Sequence, residues 1–290
     1  MPKGRERLKR LAQIGAAYLG DLKSTSCTFN GRKWKYLDGG SGEVVLFLHG
    51  IANSKVLWRS LMHALSSDFR VISPDIPGLN LSVELSGAQA NRGNTIKWLD
   101  AFCDALDIES VHLVGQGSGG GVASYYAHAN PRRVKTLTWF SAPDFERLRT
   151  GNIPAWERLL VGFDTVDDVT EYLDNLYFSP PAYPNVIKYY LLRASKKTMS
   201  EGVFVDLVKR EVAALPLLRS KLRGVAQPVL LISGDCDFMG SENWLEELSH
   251  MVPNGRFSII ERCGHFCFVE RMDESVQLLK EFLHHSVRAG

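Results

Sequence analysis

The 290-residue chain lacks three features that would each define a protein class. No segment approaches the ~18 uninterrupted apolar residues that a transmembrane helix needs. No sign of charge dominates, because the formal net charge of +2 is too small to suggest nucleic acid as a partner. The five cysteines are odd in number and scattered, which argues against a disulfide framework. This pattern of cysteines favours a reducing compartment, so we predict a cytoplasmic protein.

The small net charge is unevenly distributed along the chain. Residues 1–40 hold nine Lys or Arg against three Asp or Glu, whereas the remaining residues hold 25 against 29. Gln13 and Asp21 interrupt the apolar part of this N-terminal stretch, so it does not match a secretory signal. We predict a basic arm over residues 1–26 that forms an amphipathic helix beside the domain. Weak contact of this arm with a membrane surface is the alternative.

Apolar runs alternate with segments of helical spacing along most of the chain. Val44–His49 is a continuous apolar run of the kind typical of a strand covered on both faces, and Val111–Val114 and Pro228–Gly234 are mostly apolar runs that also predict strands. Asn30-Gly31 lies between two alternating segments and predicts a hairpin turn. The pattern predicts an α/β fold, a mostly parallel central sheet flanked by helices, over residues 27–142 and 225–290.

The alternation stops between residues 143 and 224, where the sequence is helical, aromatic and interrupted by prolines. We predict that this segment is an inserted helical cap, or lid, over the carboxyl edge of the sheet, where open α/β folds bind ligands. We expect most of its aromatic residues to form the cap core and a minority to line a substrate pocket. The aromatic residues considered are Trp156, Phe163, Tyr172, Tyr177, Phe178, Tyr183, Tyr189, Tyr190 and Phe204.

The most informative stretch is Val111–Gly121, which reads V-H-L-V-G-Q-G-S-G-G-G. A β-branched apolar run that ends in glycines and continues as an Ala-rich segment predicts a buried strand turning sharply into a helix. The stretch resembles the nucleophile elbow G-x-S-x-G of the α/β-hydrolases. In that elbow the nucleophile has a strained backbone, and the next residue's N–H contributes to the oxyanion hole. The third position of the motif is Gly117 here.

Other motifs of the same superfamily follow strands in its chain order. The loop starting at His49-Gly50 resembles the oxyanion loop, and Asp75–Gly78 resembles the D-x-P-G loop. The acid loop G-D-C-D ends at Asp237, and the histidine loop C-G-H-F contains His265.

This resemblance implies a role for each candidate site residue. It makes Asp237 the acid and His265 the base, and it gives the oxyanion hole to the N–H groups of Ile51 and Ser118. Asp235 is a weaker candidate for the acid, because the family places the acid three residues after the glycine that ends the strand.

The chain is most similar in these motifs to bacterial family V lipases and meta-cleavage-product hydrolases. They share the Y-L-x-G-G segment found at Tyr36–Gly40. In them, P-x-R-V begins fourteen residues after the nucleophile, so Pro131–Val134 assigns the nucleophile position to Gly117. If Ser118 were the nucleophile instead, the motif would lose its first glycine, and the nucleophile side chain would be turned by about 100° around the helix. Glycine at position 117 tolerates the strained backbone of the elbow. Natural divergence and deliberate engineering would both account for a glycine in place of the serine.

No metal site and no cofactor is predicted. Cys236, Cys263 and Cys267 lie near His265 in sequence, but the spacing C-G-H-F-C matches no common zinc pattern. We expect these thiols to be buried and to act as small apolar groups.

Three hypotheses for function follow. The first is an enzyme of carboxylic-ester or lipid hydrolase lineage, acting on a small apolar or ester substrate, with its nucleophile serine replaced by Gly117. The second is a lyase, isomerase or cyclase that uses His265 and Asp237 without a nucleophile. The third is a non-catalytic receptor for a small molecule or lipid.

Overall fold

The computed structural model describes residues 22–51, 53–79, 92–144, 147, 150, 162–200 and 203–288. The strands are β1 (Lys23–Phe29), β2 (Arg32–Gly39), β3 (Val44–Leu48), β4 (Arg70–Pro74), β5 (Val111–Gln116), β6 (Val134–Phe140), β7 (Val229–Gly234) and β8 (Gly255–Ile260). The helices are α1 (Arg59–Leu65), α2 (Arg92–Asp104), α3 (Ser118–Ala129), α4 (Val166–Asn175), α5 (Asn185–Ser200), α6 (Val203–Leu222), α7 (Glu242–Met251), α8 (Cys267–Glu270) and α9 (Met272–Arg288). A 3-10 turn, Lys55–Trp58, leads into α1.

The eight strands form one sheet in the order β1-β2-β4-β3-β5-β6-β7-β8. Strand β2 is antiparallel to β1 and β4, and every other neighbouring pair is parallel. All six residues of β5 are buried, because helices cover the sheet on both faces. The predicted α/β fold with a mostly parallel sheet is therefore confirmed.

The predicted hairpin is present, and its first strand moves the boundary between the N-terminal arm and the sheet. Asn30 and Gly31 both have positive φ, 50° and 70°, as a two-residue turn of type I′ requires. Strand β1 begins at Lys23 and pairs with β2 along its length, so residues 23–26 belong to the sheet and not to the N-terminal arm. Residues 1–21, the remainder of the predicted arm and its helix, lie outside the described residues.

Between β6 and β7 the described residues form the helices α4, α5 and α6 and no strand. An ion pair of 2.5 Å joins Arg92, at the start of α2, to Glu211 of α6. The hydroxyl of Tyr125 in α3 donates to the carbonyl of Ala214, also in α6, at 3.2 Å. Helix α6 is thus held against the helices that follow the central strands.

The aromatic residues of segment 143–224 divide into two groups. Phe163, Tyr172, Tyr177 and Tyr183 pack in or against the apolar core that also contains Phe266 and Phe268. Phe178 and Tyr189 are instead exposed, so the expected packing does not extend to them. Trp156 and the side chains of Tyr190 and Phe204 lie outside the described part of the chain. No described helix has both the length and the apolar content needed to cross a membrane.

The glycines after β5 allow α3 to approach the sheet closely. A Cβ on Gly115 would lie 2.4 Å from the amide nitrogen of Gly120, and a Cβ on Gly119 would lie 2.1 Å from the carbonyl oxygen of Leu48. These contacts are backbone to backbone, so no side-chain rearrangement could relieve them. The first turn of α3 is consequently fixed above the carboxyl ends of β3 and β5.

Neighbouring glycines of α3 give opposite predictions for stability. A Cβ on Gly120 would lie 1.9 Å from Cδ1 of the buried Trp139, whereas a Cβ on Gly121 would be 3.5 Å from the Arg92 guanidinium. We expect Gly120→Ala to lower the free energy of unfolding by about 2–3 kcal/mol through overpacking. Gly121→Ala should leave it unchanged or raise it by up to about 1 kcal/mol, because alanine favours the helix. Urea unfolding of both variants measures the difference, and equal effects would contradict this packing.

Candidate active site

The predicted acid and base meet in the structure. His265 Nδ1 lies 2.9 Å and 3.0 Å from the two carboxylate oxygens of Asp237, and both side chains are buried. The backbone of His265 is held on both sides: its N–H donates to the carbonyl of Leu176 at 2.8 Å, and its carbonyl accepts from the Ser141 hydroxyl at 2.5 Å. The imidazole therefore has a fixed position after β8.

Asp237 is stabilised as a carboxylate inside the protein. Burial by itself raises the pKa of Asp237, but the charge of His265 and the hydrogen bond from its ring lower it. The Met239 N–H and the Ser233 hydroxyl also donate to the carboxylate, at 2.9 Å and 3.0 Å. The net result is a pKa below the ordinary value of an aspartate. Such a carboxylate can hold a histidine in one tautomer and stabilise its protonated form.

The turn between β5 and α3 has its strained residue at Gly117. Gly117 has φ 52° and ψ −123°, and Ser118 is the first residue of α3. Two bonds to β6 hold the turn: the Gly117 N–H donates to Phe140, and the Trp139 indole N–H donates to the Gly117 carbonyl. A Cβ on Gly117 would have no heavy atom within 4 Å beyond its chain neighbours. The site thus has room for a side chain at this position.

Gln116 has a contact that the sequence did not predict. Its amide nitrogen lies 2.7 Å from Nε2 of His265, the ring nitrogen that faces away from Asp237. Gln116 was part of the elbow motif, but it occupies a variable position there, so the motif assigned it no role. The signal in the sequence was a polar residue at the end of a buried strand, directly before the glycine of the elbow.

The loop after β3 lies beside the elbow. A Cβ on Gly50 would be 2.4 Å from the Gln116 side-chain oxygen, and Gly119 packs on the carbonyls of Leu48 and His49. Ile51, whose N–H is a predicted oxyanion donor, is partly buried in this loop. Ser118 N–H, the other predicted donor, heads α3, where the first N–H groups of a helix have no intrahelical acceptor.

His49 anchors this loop to the one after β4. Its Nε2 accepts from the Ile76 N–H at 2.9 Å, and its Nδ1 donates to the Gly50 carbonyl at 2.8 Å. Asp75 also has a structural contact, because it accepts from the backbone N–H of Lys55 at 2.9 Å and pairs with the Lys55 ammonium. The D-x-P-G loop therefore supports the site from outside. Residues 80–82, which follow this loop in sequence, lie outside the described residues.

The weaker candidates, Asp235 and the three neighbouring cysteines, do not join the hydrogen-bonded pair of Asp237 and His265. Asp235 accepts from the N–H of Cys263 at 3.1 Å, not from His265. Cys263 and Cys267 are buried as expected, but Cys236 is exposed. Hydrogen bonding to Cys263 and burial raise the pKa of Cys267 well above its ordinary value, which disfavours the reactive thiolate. Among the described residues, no group of His, Cys, Asp or Glu is arranged to hold a metal.

Aromatic rings lie beside the imidazole. The ring centroids of Phe266 and Phe238 lie 5.2 Å and 6.3 Å from that of His265. Tyr177, which follows α4, packs on Phe266 at 5.7 Å and shares a 2.6 Å hydroxyl contact with Tyr183. The base thus lies in an apolar environment to which segment 143–224 contributes.

The sheet order, the strand–turn–helix at Gly117 and the paired Asp237 and His265 agree with a family model. The model described as the alpha/beta hydrolase fold matches residues 43–271. The chain belongs to the α/β-hydrolase fold family. This membership accounts for the chain order of the elbow, the acid and the histidine.

Several curated proteins are similar over most of their length. A 2-hydroxy-6-oxo-2,4-heptadienoate hydrolase of Pseudomonas putida is 24% identical over 85% of this chain and 91% of the relative. A cis-3-alkyl-4-alkyloxetan-2-one decarboxylase of Shewanella oneidensis is 25% identical over 88% of this chain and 86% of the relative. Homologues also include a 2-hydroxymuconate semialdehyde hydrolase and a monoacylglycerol lipase.

A solved meta-cleavage product hydrolase has the same fold. It matches with a TM-score of 0.76 at 22% identity and covers 93% of this chain and 100% of its own. At this identity the match supports the architecture alone.

The buried His49 predicts a loss of stability in acid. Burial lowers the pKa of His49 from 6.5 to about 4, so between these values the unfolded chain binds the extra proton and the folded chain does not. The contribution of His49 to the free energy of unfolding is therefore complete above pH 6.5 and falls by about 3 kcal/mol as the pH drops towards 4. We expect His49→Gln to flatten this part of the curve of unfolding free energy against pH. His285→Gln, at an exposed position, is the control, and identical curves for His49→Gln and the unmodified chain would contradict the assignment.

Proposed function

We propose that the chain is a hydrolase of carboxylic esters, or of carbon–carbon bonds beside a carbonyl, in which Gly117 holds the place of the nucleophile serine. Asp237 and His265 are the acid–base pair, and the N–H groups of Ile51 and Ser118 bind the oxyanion. Water replaces the serine hydroxyl as the attacking group. The substrate classes come from the relatives, whose names include hydrolases of 2-hydroxy-6-oxo-dienoates and a lipase.

The observation that carries the proposal is the vacant position at Gly117 beside an otherwise assembled pair. A serine side chain at Gly117 would meet no heavy atom within 4 Å of its Cβ, and the backbone already has the positive φ of a nucleophile elbow. Ser118, the alternative nucleophile, lies one residue further on, inside α3, and His265 Nε2 is bonded to Gln116 instead.

The chemistry balances with water as the nucleophile. His265 Nε2 takes a proton from water while the water oxygen bonds to the substrate carbonyl carbon, and the carbonyl electron pair moves to oxygen. The oxyanion is stabilised by the Ile51 and Ser118 N–H groups. When the carbonyl re-forms, the bond to the leaving group breaks, and His265 returns the proton to that group. An ester yields an acid and an alcohol, and no covalent enzyme intermediate forms.

The direct test is to add the missing hydroxyl. Gly117→Ser should raise kcat/KM for p-nitrophenyl acetate at least about a hundredfold over the unmodified chain, because a full triad exceeds the residual catalysis of the remaining groups. Gly117→Ala is the matched control, since it adds the same Cβ and the same backbone strain, about 1–3 kcal/mol, without a hydroxyl. Adding His265→Ala to Gly117→Ser should remove the gain.

Two results would contradict this proposal. A folded Gly117→Ser variant with no more esterase activity than Gly117→Ala would mean that the site is not of this lineage. Ester turnover by the unmodified chain that Ser118→Ala abolishes would mean that Ser118 is the nucleophile.

A second candidate is acid–base catalysis without hydrolysis. It is favoured by the intact, buried Asp237–His265 pair in the absence of a serine, and by the relative named as an oxetan-2-one decarboxylase. A cis-3,4-dialkyl-oxetan-2-one is the probe. Loss of carbon dioxide from it, abolished by His265→Ala, would favour this candidate, whereas formation of the 3-hydroxy acid would favour hydrolysis.

A further inference from the structure

Gln116 contacts the ring nitrogen of His265 that does not face Asp237. An amide nitrogen donates and does not accept, so a hydrogen bond at this 2.7 Å contact requires a lone pair on His265 Nε2. The ring proton is then on Nδ1, where it donates to Asp237 at 2.9 Å and 3.0 Å. This is the tautomer that a general base requires, but its basic lone pair is already engaged.

The other end of the same amide has no partner. Gln116 is 3% exposed, and its side-chain oxygen is a buried acceptor without a hydrogen bond to any described residue. An unsatisfied buried acceptor is destabilising, and its occurrence beside reacting groups indicates a missing donor. The oxygen lies against Gly50, at the loop that carries Ile51, where a Cβ would approach it to 2.4 Å.

The two ends of the amide therefore face the base and the loop of the oxyanion site. With a serine at the elbow, its hydroxyl would compete with the amide for His265 Nε2. With Gly117 there is no competing hydroxyl, and the amide takes that bond.

We propose that Gln116 is a positioning residue that fixes His265 as the neutral Nδ1–H tautomer and receives, at its free oxygen, the O–H of the water that His265 deprotonates. Before a water binds there, the amide engages Nε2. When water binds, one O–H donates to the Gln116 oxygen, and the other replaces the amide N–H at Nε2. The proton-transfer part rests on the proposed function, whereas the tautomer part does not.

The test of the tautomer uses the full-length protein with 15N-labelled histidine. We expect His265, assigned by the signal lost in His265→Ala, to show a protonated Nδ1 and an unprotonated, hydrogen-bonded Nε2 at alkaline pH. Gln116→Met, an unbranched apolar replacement, should shift the Nε2 resonance and admit the second tautomer.

Gln227→Met is the matched control for this measurement. Gln227 is also buried, donates its amide to the carbonyl of Pro131 at 2.8 Å and has an unpartnered side-chain oxygen. It precedes β7 and therefore lies at the opposite edge of the sheet from His265. Gln227→Met should leave the His265 resonances unchanged.

The effect of Gln116→Met on turnover should have opposite signs with glycine and with serine at position 117, which distinguishes a positioning role from a structural one. In the unmodified chain, Gln116→Met should lower any water-dependent ester turnover about tenfold, because the water loses its acceptor. In the Gly117→Ser background the same change should raise kcat about tenfold, because the competitor of the introduced hydroxyl is removed.

The outcomes separate the two proposals. An Nε2–H tautomer in the unmodified chain, or His265 resonances unaffected by a folded Gln116→Met variant, overturns the role of Gln116 whatever the activity. Equal losses in both backgrounds would also overturn it, since they would indicate a structural role. If Gly117→Ser is inactive while the resonances behave as expected, the hydrolase assignment fails and the role of Gln116 in fixing the tautomer stands.

Discussion

The structure depends on the close backbone contact between the end of β5 and the first turn of α3. Gly115, Gly119 and Gly120 carry no Cβ, and at each of them a methyl group would overlap neighbouring atoms, two of the three being backbone contacts. This contact forces the chain to reverse direction within one residue, Gly117, whose positive φ is the conformational consequence. The elbow therefore follows from packing and does not need a nucleophile to exist.

The same contact organises the site around the elbow. The loops after β3, β4, β6, β7 and β8 converge on the carboxyl ends of the parallel strands, and bonds within and between these loops fix them: His49 to Ile76, Asp237 to Met239, and Ser141 to His265. Burial gives these bonds their strength, because a charged or polar group away from water is stable only when it is partnered. The Asp237 carboxylate meets this condition fully, whereas the Gln116 side-chain oxygen does not. That difference distinguishes the supporting framework from the place where we propose that a water binds.

Much of this arrangement follows from sequence pattern. Continuous apolar runs predicted the parallel strands, and Asn30-Gly31 predicted the hairpin, because both signals are local. Pairing of Asp237 with His265 followed from family resemblance and chain order. The bond from Gln116 to His265 did not follow, since it joins residues far apart in sequence and depends on side-chain geometry. The exposure of Cys236 and Phe178 was also missed, because composition does not reveal which side of a loop faces solvent.

The most direct measurement of the central claim is the position of covalent labelling by a fluorophosphonate, read by peptide mass spectrometry. If the site lacks one hydroxyl and nothing else, Gly117→Ser should be labelled at position 117, and labelling should disappear when His265→Ala is added. The unmodified chain and Gly117→Ala should remain unlabelled. Labelling of the unmodified chain at Ser118, or a folded Gly117→Ser variant that does not react, would contradict the account.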